Sequence, residues 1–562
     1  MAIEKRRLGN ILVNAGKITS FQLQEALKAQ KSLGKKLGEI LVDEKIITED
    51  EIIEAIEQQT GIKKVDLNTT QFDRKAITLI PENLCRKYML IPFGFDDNKI
   101  KVALSDPLNI FAIDDVIIST GFEIESFISR KNDIKKFIGL YYSSQQVNNA
   151  AIQLSKESVK NIKSEKNTSD NLTETNNAPA VKMVDYMFKN AIEMKTSDIH
   201  IEPFENEIRI RYRVDGKLQT VNHLSIDSLG PLVTRIKILA NLNIAEKRIP
   251  QDGRIMYSIE GKEVDLRVSI LPVVYGEKIV IRILNTSSIN LTKKNLGLSD
   301  ENIKKLDRIV ANPYGIILVT GPTGSGKSTS LYTILSELNR NDVNIVTVED
   351  PVEYTMDGIS QVSVNEKAGL TFASGLRSIL RQDPDIVMIG EIRDEETAEI
   401  AIRAAITGHL VLSTLHTNDA PSSIMRLIDM QVKPYLVSTS VVGIMAQRLV
   451  RRICRHCDHE YEATNYEKEL LNIPENETLV LHKGTGCGYC NETGYSGRIG
   501  VYEVMEMTRK HREAINEGVS SDKLRDISIE SGMTTLEMEC RKLVLSGITT
   551  VEELSTITNF TF

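Results

Sequence analysis

The sequence predicts an α/β protein with a parallel-sheet domain in its C-terminal half and smaller mixed domains before it. From about residue 295, apolar strand-like runs alternate with helical patterns, which is typical of a parallel sheet. A glycine-rich phosphate-binding motif joins one of these strands to a helix. Between residues 181 and 290, a helical segment is followed by segments that alternate with period two, which indicates an α+β domain.

Length and composition narrow the class of protein. A chain of 562 residues predicts about three to five domains. No apolar run reaches the roughly 18 residues that a membrane-spanning helix needs, and the N-terminus lacks the apolar core of a secretory signal. The net charge of −8 argues against a protein that coats nucleic acid or an anionic membrane. With only six cysteines, four of them in two CxxC pairs, we expect a reducing, cytoplasmic compartment.

An internal repeat occupies the first 60 residues. The tripeptide Arg7-Leu8-Gly9 recurs as Lys36-Leu37-Gly38, with a period of 29 residues. Each copy predicts a short apolar segment, a threonine N-cap at Thr19 or Thr48, and an amphipathic helix. Two copies are too few for a solenoid, so we expect a pseudo-symmetric pair of helical units.

Composition shifts divide the rest of the chain. A strand at 99–104 belongs to a small mixed unit, and residues 163–179 have almost no apolar side chains and cannot form a core. The Arg-rich segment at 207–214 alternates apolar and basic residues and predicts a strand with one buried face. The predicted boundaries are an N-terminal domain over 1–142, a flexible linker over 143–180, an α+β domain over 181–290 and the parallel-sheet domain over 291–562.

The phosphate-binding motif determines the predicted chemistry. An apolar strand at 316–320 precedes the motif and a helical pattern follows it, so a chance match on a glycine-rich turn is the less favoured alternative. The backbone of such a loop binds phosphate oxygens at a helix N-terminus. Lys327 would reach the β- and γ-phosphates, and the Ser328 hydroxyl would hold Mg²⁺. The predicted nucleotide-binding residues are Gly321, Pro322, Thr323, Gly324, Ser325, Gly326, Lys327, Ser328 and Thr329.

Polar residues follow three further predicted strands. Glu391 ends an apolar strand and would orient or deprotonate the attacking water. Glu349 and Glu353 follow another strand and would join the water shell of Mg²⁺. His416 ends a third strand and would sense the γ-phosphate. A solvated loop carboxylate is the alternative for each acid alone, but the carboxyl ends of parallel strands share one crevice. For His409, at the start of the third strand, a structural hydrogen bond is at least as well supported as a role in the site.

Four cysteines predict a structural zinc site. Cys454 and Cys457 form one CxxC pair, Cys487 and Cys490 form a second, and 29 residues separate the pairs. Four thiolates complete a tetrahedral Zn²⁺ site with no open position. The long gap leaves room for a small inserted subdomain over about 450–500, and unpaired buried thiols are the alternative. The nearby arginines, which are Arg448, Arg451, Arg452 and Arg455, favour a solvated or subunit-contact face over a nucleic-acid patch.

These motifs together resemble the secretion ATPase superfamily, specifically type IV pilus assembly (extension) ATPases and their type II secretion counterparts. The resemblance covers roughly the last two-thirds of the chain. The matching segments are 197–203, the Arg-rich strand with Asp215-Gly216, 250–254, the phosphate loop, 348–354, 390–394, 408–418, the tetracysteine region and 497–503.

The resemblance implies a homohexameric motor that hydrolyses ATP to ADP and phosphate. Each subunit would contain a RecA-like ATPase domain preceded by a PAS-like α+β domain. Arginines of the latter reach the phosphates in the family, and Arg267 and Arg282 match those positions; an ion pair on a strand surface is the alternative for each. The resemblance also implies an inner-membrane platform protein as the partner and a peripheral cytoplasmic location with only indirect membrane association. Because the chain is acidic, we expect no nucleic-acid partner.

The N-terminal repeat resembles the duplicated motif of pilus and type II ATPase domains that bind cyclic di-GMP. The matching ligand positions are Arg7, Leu8, Gly9, Lys36, Leu37, Gly38 and Asp106. Lys36 departs from the arginine common in the family and loses the two-pronged hydrogen bonding of a guanidinium. A purely structural docking module is the alternative for this domain.

Several functions remain in competition. Pilus assembly leads, and type II secretion is a rival that the family resemblance alone barely separates from it. A retraction ATPase is less favoured, because the retraction enzymes that the chain resembles lack both the N-terminal repeat domain and the tetracysteine site. A nucleic-acid motor and a non-catalytic, nucleotide-gated scaffold are the alternatives from other classes.

Overall fold

The computed structural model describes residues 8–33, 36–44, 46–96, 99–142, 179–259, 261–284 and 292–558. The chain divides into two compact units. The first unit holds the residues up to 283 together with 486–493, and the second holds 284–485 and the residues from 494 onward. Arg7 and almost all of the predicted linker over 143–180 lie outside the described residues. No helix in the described ranges is both long and apolar enough to span a membrane.

Four helices form the predicted pair of repeats. They are α1 (Leu8–Asn14), α2 (Ser20–Leu33), α3 (Leu37–Asp43) and α4 (Glu49–Thr60). Thr48 forms a capping box with Glu51, and Thr19 makes the equivalent bonds with Gln22, as the sequence predicts. The repeats exchange partners, because α1 packs on α4 and α2 packs on α3. The four helices share one small apolar core.

A small α/β layer completes the N-terminal region. It contains α5 (Arg74–Leu79), α6 (Glu82–Tyr88), β1 (Leu90–Asp96), β2 (Lys99–Leu104), α7 (Ile110–Thr120), β3 (Glu123–Ile128) and a helix, α8, over 131–142. Strand β2 pairs with β1 antiparallel and with β3 parallel. Phe137 and Tyr142 of α8 are fully buried in the core of this layer.

The remainder of the first unit is an α+β fold, as predicted. Its elements are α9 (Pro179–Glu193), β4 (Asp198–Pro203), β5 (Glu207–Val214), β6 (Lys217–Ser225), α10 (Leu229–Leu239), β7 (Gln251–Ile259), β8 (Lys262–Val273) and β9 (Gly276–Leu284). The strands lie in the order β6-β5-β4-β9-β8-β7. Apolar residues of α9 and α10 pack on one sheet face, so the basic residues of β5 lie on the opposite face.

The second unit is built on a seven-stranded sheet. From residue 293 to residue 415, its elements are α11 (Lys293–Leu296), α12 (Asp300–Val310), β10 (Gly315–Thr320), α13 (Lys327–Leu338), β11 (Ile345–Glu349), β12 (Ser360–Ser363), α14 (Phe372–Ile379), β13 (Ile386–Ile389), α15 (Glu395–Ile406) and β14 (Leu410–Leu415). They are followed by α16 (Ala420–Asp429), α17 (Pro434–Ser440), β15 (Val441–Ile453), β16 (Asp458–Glu462), α18 (Asn465–Leu470), β17 (Val480–Gly484), β18 (Tyr495–Glu506), α19 (Arg509–Glu517), α20 (Ser521–Glu530), α21 (Leu536–Leu545) and α22 (Val551–Thr558).

The sheet order is β12-β11-β13-β14-β10-β15-β18, and the first six strands run parallel. Only β18 runs antiparallel to its neighbour. Two apolar cores include side chains from opposite faces of the strands, as the near-continuous burial of β10, β11, β13 and β14 requires. The predicted α/β fold class is confirmed. The small antiparallel sheet of β16 and β17 lies between the two cysteine pairs, where the sequence leaves room for an insertion.

Candidate functional site

The predicted phosphate loop connects β10 to α13 and packs closely against β15. A Cβ atom on Gly321 would lie 2.4 Å from the carbonyl oxygen of Gln447, and one on Gly326 would lie 2.8 Å from the Gln447 amide nitrogen. Gly326 also caps α13 with a φ of 89°, in the left-handed region that favours glycine. Both glycines are therefore required by the packing of the loop. Ser328 and Thr329 lie in the first turn of α13, where backbone N–H groups are free of intrahelical partners.

Lys327 folds back onto its own loop. Its Nζ atom donates to the carbonyl oxygens of Gly321, at 2.8 Å, and of Pro322, at 3.1 Å. Burial lowers the pKa of this amine, the Arg448 guanidinium lowers it further, and the Glu391 carboxylate opposes the shift. A partly desolvated cation at a helix N-terminus is a suitable group to bind phosphate.

The structure brings Glu391 and His416 together. Glu391 follows β13 and is largely buried, and one of its oxygens lies 2.6 Å from a guanidinium nitrogen of Arg393. Its other oxygen lies 3.3 Å from Nε2 of His416, which follows β14. The predicted convergence of strand ends therefore holds for this pair. His409 makes a different contact, because its Nδ1 lies 2.9 Å from the Ala404 carbonyl oxygen, which is the structural bond expected as the alternative.

Glu349 is buried at the end of β11, where three groups donate to its carboxylate. Thr347 donates at 2.6 Å, Gln361 donates at 3.1 Å, and the Tyr332 hydroxyl makes the third bond. Because Tyr332 lies on α13, this carboxylate ties the helix after the phosphate loop to a neighbouring strand. The Glu353 backbone N–H donates to the same Tyr332 hydroxyl at 3.4 Å. The predicted roles of Glu349 in catalysis and of Glu353 near Mg²⁺ stay predictions.

Gln447 of β15 contacts the phosphate loop, and the charge of Arg448 acts on the loop lysine, Lys327, although no sequence motif indicates either residue. Gln447 accepts a hydrogen bond from Ser330 at 2.7 Å, and Arg448 donates to Asn418 at 2.9 Å. Burial lowers the pKa of Arg448. Arg451 faces elsewhere, 2.7 Å from Glu553. Because side chains alternate between the two faces of a strand, Arg448 and Arg451 of the strand over 441–453 lie on opposite faces. This alternation is the sequence signal that could have placed Arg448 near the phosphate loop.

The predicted arginines of the first unit lie on its six-stranded sheet. Arg282 of β9 donates to Asp198 at 3.1 Å and is more than half exposed. Arg267 of β8 lies opposite Arg254 of β7, which bonds Asp265 at 2.7 Å. Arg282 thus forms the ion pair expected as the alternative. That Arg267 and Arg282 contact the phosphates of a nucleotide stays a prediction.

The residues predicted to bind cyclic di-GMP lie in the N-terminal helices. Lys36, just before α3, forms an ion pair with Asp106, so two predicted ligand residues already meet. Gly9 and Gly38 have a packing role, because a Cβ atom there would lie 2.5 Å from Leu23 and 3.0 Å from Ile52 respectively. Leu8 and Leu37 are the first residues of α1 and α3.

The four cysteines of the two CxxC pairs cluster as predicted. Their sulfur atoms all lie within 4.8 Å of one another, and the thiols form no disulfide. The Cys487 and Cys490 sulfurs are 3.7 Å apart, close to the separation of about 3.8 Å for two sulfurs on one tetrahedral Zn²⁺. The Cys487 backbone N–H also donates to the Cys490 sulfur at 3.2 Å, which shapes the turn around a ligating atom. The donor set and its geometry therefore fit zinc.

Comparisons with known proteins identify the family of the chain. A family described as Type II/IV secretion system protein matches residues 173–556, and one described as MshEN domain matches residues 60–148. The Type IV pilus assembly ATPase PilB of Myxococcus xanthus is 40% identical over 98% of this chain and 98% of its own length. The Type II secretion system protein E of Pseudomonas aeruginosa is 47% identical over 70% of this chain and 78% of its own length. The Legionella pneumophila ATPase DotB has a similar fold over 67% of this chain and 95% of its own, with a TM-score of 0.51 and 22% identity.

The Tyr332–Glu349 contact can be tested by removing one hydroxyl. Tyr332→Phe leaves a buried carboxylate with one donor fewer, so we expect a loss of about 1–3 kcal/mol in the free energy of unfolding. Urea denaturation monitored by circular dichroism measures it. Tyr354→Phe is the matched control: its ring packs at 4.3 Å edge-to-face on Tyr332, and its buried hydroxyl has no hydrogen-bond partner among the described residues. Equal losses in the two variants would contradict a specific role for the Tyr332 hydroxyl.

Proposed function

Since the chain belongs to the Type II/IV secretion system protein family, we propose that it is the hexameric motor ATPase that powers type IV pilus assembly. Hydrolysis of ATP to ADP and phosphate at the loop before α13 supplies the work. The observation that carries the proposal is the full-length match to a pilus assembly ATPase, which includes the N-terminal region. The type II secretion proteins of Pseudomonas aeruginosa and Xanthomonas campestris cover less of the chain, 70% and 84%, so secretion is the second candidate. An inner-membrane platform protein is the proposed partner, and we place the motor at the cytoplasmic face of that membrane.

The residues of the site have distinct roles in this reaction. Lys327 releases the loop carbonyls and binds the β- and γ-phosphates, and the Ser328 hydroxyl would hold Mg²⁺, which neutralises phosphate charge when bound. Glu391 accepts a proton from the attacking water or orients it. His416, in contact with Glu391, senses the γ-phosphate at the end of β14. Arg267 and Arg282 supply positive charge to the transferred phosphoryl group.

Replacing the proposed base tests the motor function. We expect Glu391→Gln to lower ATP turnover by about 10²–10⁴-fold, because an amide cannot accept the proton, while nucleotide binding persists. Steady-state phosphate release and fluorescent nucleotide titration measure the two quantities. Glu399→Gln is the matched control, since Glu399 lies half-exposed on α15 in an i,i+4 pair with Arg403. Unchanged turnover in Glu391→Gln would contradict the role of Glu391 as the base, whereas a non-catalytic, nucleotide-gated scaffold predicts that the function of the protein survives this substitution.

The tetracysteine cluster is proposed to hold one structural Zn²⁺ per chain through Cys454, Cys457, Cys487 and Cys490. Elemental analysis of the purified protein should find about one zinc per chain, as a closed four-thiolate site requires. Cys457→Ser should release the metal, and Cys540→Ala, at a buried cysteine outside the cluster, should retain it. Well under one zinc in the unaltered protein would contradict the proposal.

The N-terminal domain is proposed to bind cyclic di-GMP, with the Lys36–Asp106 pair opening onto the ligand. The motif spacing and the MshEN match support this proposal. Calorimetric titration of the full chain should show heat with cyclic di-GMP, and Lys36→Arg should tighten binding because a guanidinium forms two parallel bonds to phosphate. Lys28→Ala, on the exposed face of α2, is the control and should bind normally. No heat at tens of micromolar ligand would leave a structural docking module.

A further inference from the structure

The segment 486–493, which we call the cysteine finger, is a short loop whose flanking residues lie close together. Gly484 and Gly494 meet there, since a Cβ atom on Gly484 would lie 2.1 Å from the Gly494 carbonyl oxygen. Thr485 donates its backbone N–H to Cys457 at 3.0 Å, and the Cys454 N–H donates to Gly494 at 2.9 Å. The two residues that flank the finger are therefore hydrogen-bonded to the first cysteine pair. The finger itself belongs to the first unit.

The tip of the finger is the Gly488-Tyr489 dipeptide between the last two cysteines. Gly488 is buried, and a Cβ atom on it would lie 2.7 Å from the ring of Phe137 and 3.2 Å from the ring of Phe72. The ammonium of Lys136 lies 3.9 Å from the centroid of the Tyr489 ring, in cation–π contact. A glycine at this position thus permits close approach to two aromatic rings, and the adjacent tyrosine meets a cation.

The receiving surface is pre-formed by α8 and the loop before α5. Phe72 packs on Phe137, with ring centroids 5.0 Å apart, and on Tyr141, at 4.6 Å. Lys136 also lies 5.0 Å from the Phe137 ring and donates to Asn68 at 3.4 Å. We call Phe72, Lys136, Phe137 and Tyr141 the α8 platform. Its rings belong to or pack against the core of the N-terminal layer, which fixes their positions on the surface.

We propose that the α8 platform is an intramolecular docking surface whose partner is the cysteine finger of the same chain. Two contacts provide the recognition. Gly488, which has no side chain, packs against the rings of Phe72 and Phe137. The ring of Tyr489 lies under the ammonium of Lys136. Because Cys487 and Cys490 shape the turn that presents these two residues, the platform recognises the finger in its folded form.

The chain contains no tryptophan, so one substitution introduces a single fluorescent reporter. In Tyr489→Trp, an indole on the platform should be shielded from acrylamide and remain in contact with the lysine cation. Combining it with Lys136→Ala or with Phe72→Ala should raise the acrylamide quenching constant by about threefold, because each removes one side of the contact. Asn132→Ala, an exposed position on the same helix, should leave quenching unchanged.

Metal content is measured in the same samples. Zinc equal to that of the unaltered chain shows that the cysteine cluster is intact and that quenching reports docking alone. An indole as exposed to acrylamide as a free tryptophan analogue, or one insensitive to both platform variants, would overturn the proposal. If the unaltered chain holds no zinc, the proposed metal site fails while the quenching comparison still decides the docking.

Discussion

Parallel pairing of β10 with β14 on one side and β15 on the other is the constraint on which the candidate site depends. The phosphate loop leaves β10 between these neighbours, and the Thr320 hydroxyl, the last side chain of β10, contacts Leu415 at 3.1 Å and the Thr417 hydroxyl at 2.7 Å. Residues that follow β13, β14 and β10 therefore start from one edge of the sheet. The loop then packs on Gln447, so β15 sets the space available to it.

The sequence could predict the parts of the site that follow a local pattern. The phosphate loop, Glu391 after β13 and the two CxxC pairs all depend on short motifs beside recognisable strands, and the structure places them as expected. Tyr332 and Gln447 could not be found in this way. Tyr332 reaches Glu349 from a helix face, and Gln447 meets the loop from a strand distant in sequence, so only the assembled sheet brings them together. The glycines at 9 and 38 also have a role in helix packing that the repeat pattern alone does not reveal, and their predicted role in ligand binding stays a prediction.

Charge on the six-stranded sheet shows why composition alone is a weak guide to partners. The strand β5 is strongly basic in sequence, which taken alone suggests an anion-binding face. In the structure, Glu202 lies 2.9 Å from Arg211 and 2.8 Å from Lys278, and Asp198 bonds Arg282. Two acidic residues of β4 thus neutralise cations on both neighbouring strands. The face is an ion-pair network with few surplus cations, which agrees with the acidic net charge of the chain.

The exchange of helices between the two N-terminal repeats has a consequence for symmetry. Since α1 packs on α4 and α2 on α3, neither repeat closes a core alone, and the four helices amount to a covalently joined dimer. Residues that the two repeats share, such as the Leu-Gly pairs at 8–9 and 37–38, therefore occur twice in this four-helix group. Cyclic di-GMP has two identical halves and would meet equivalent groups from each repeat. The repeats nevertheless differ at several charged positions, among them arginine at 7 against lysine at 36 and glycine at 16 against lysine at 45, so the two halves of a symmetric ligand would meet unequal groups.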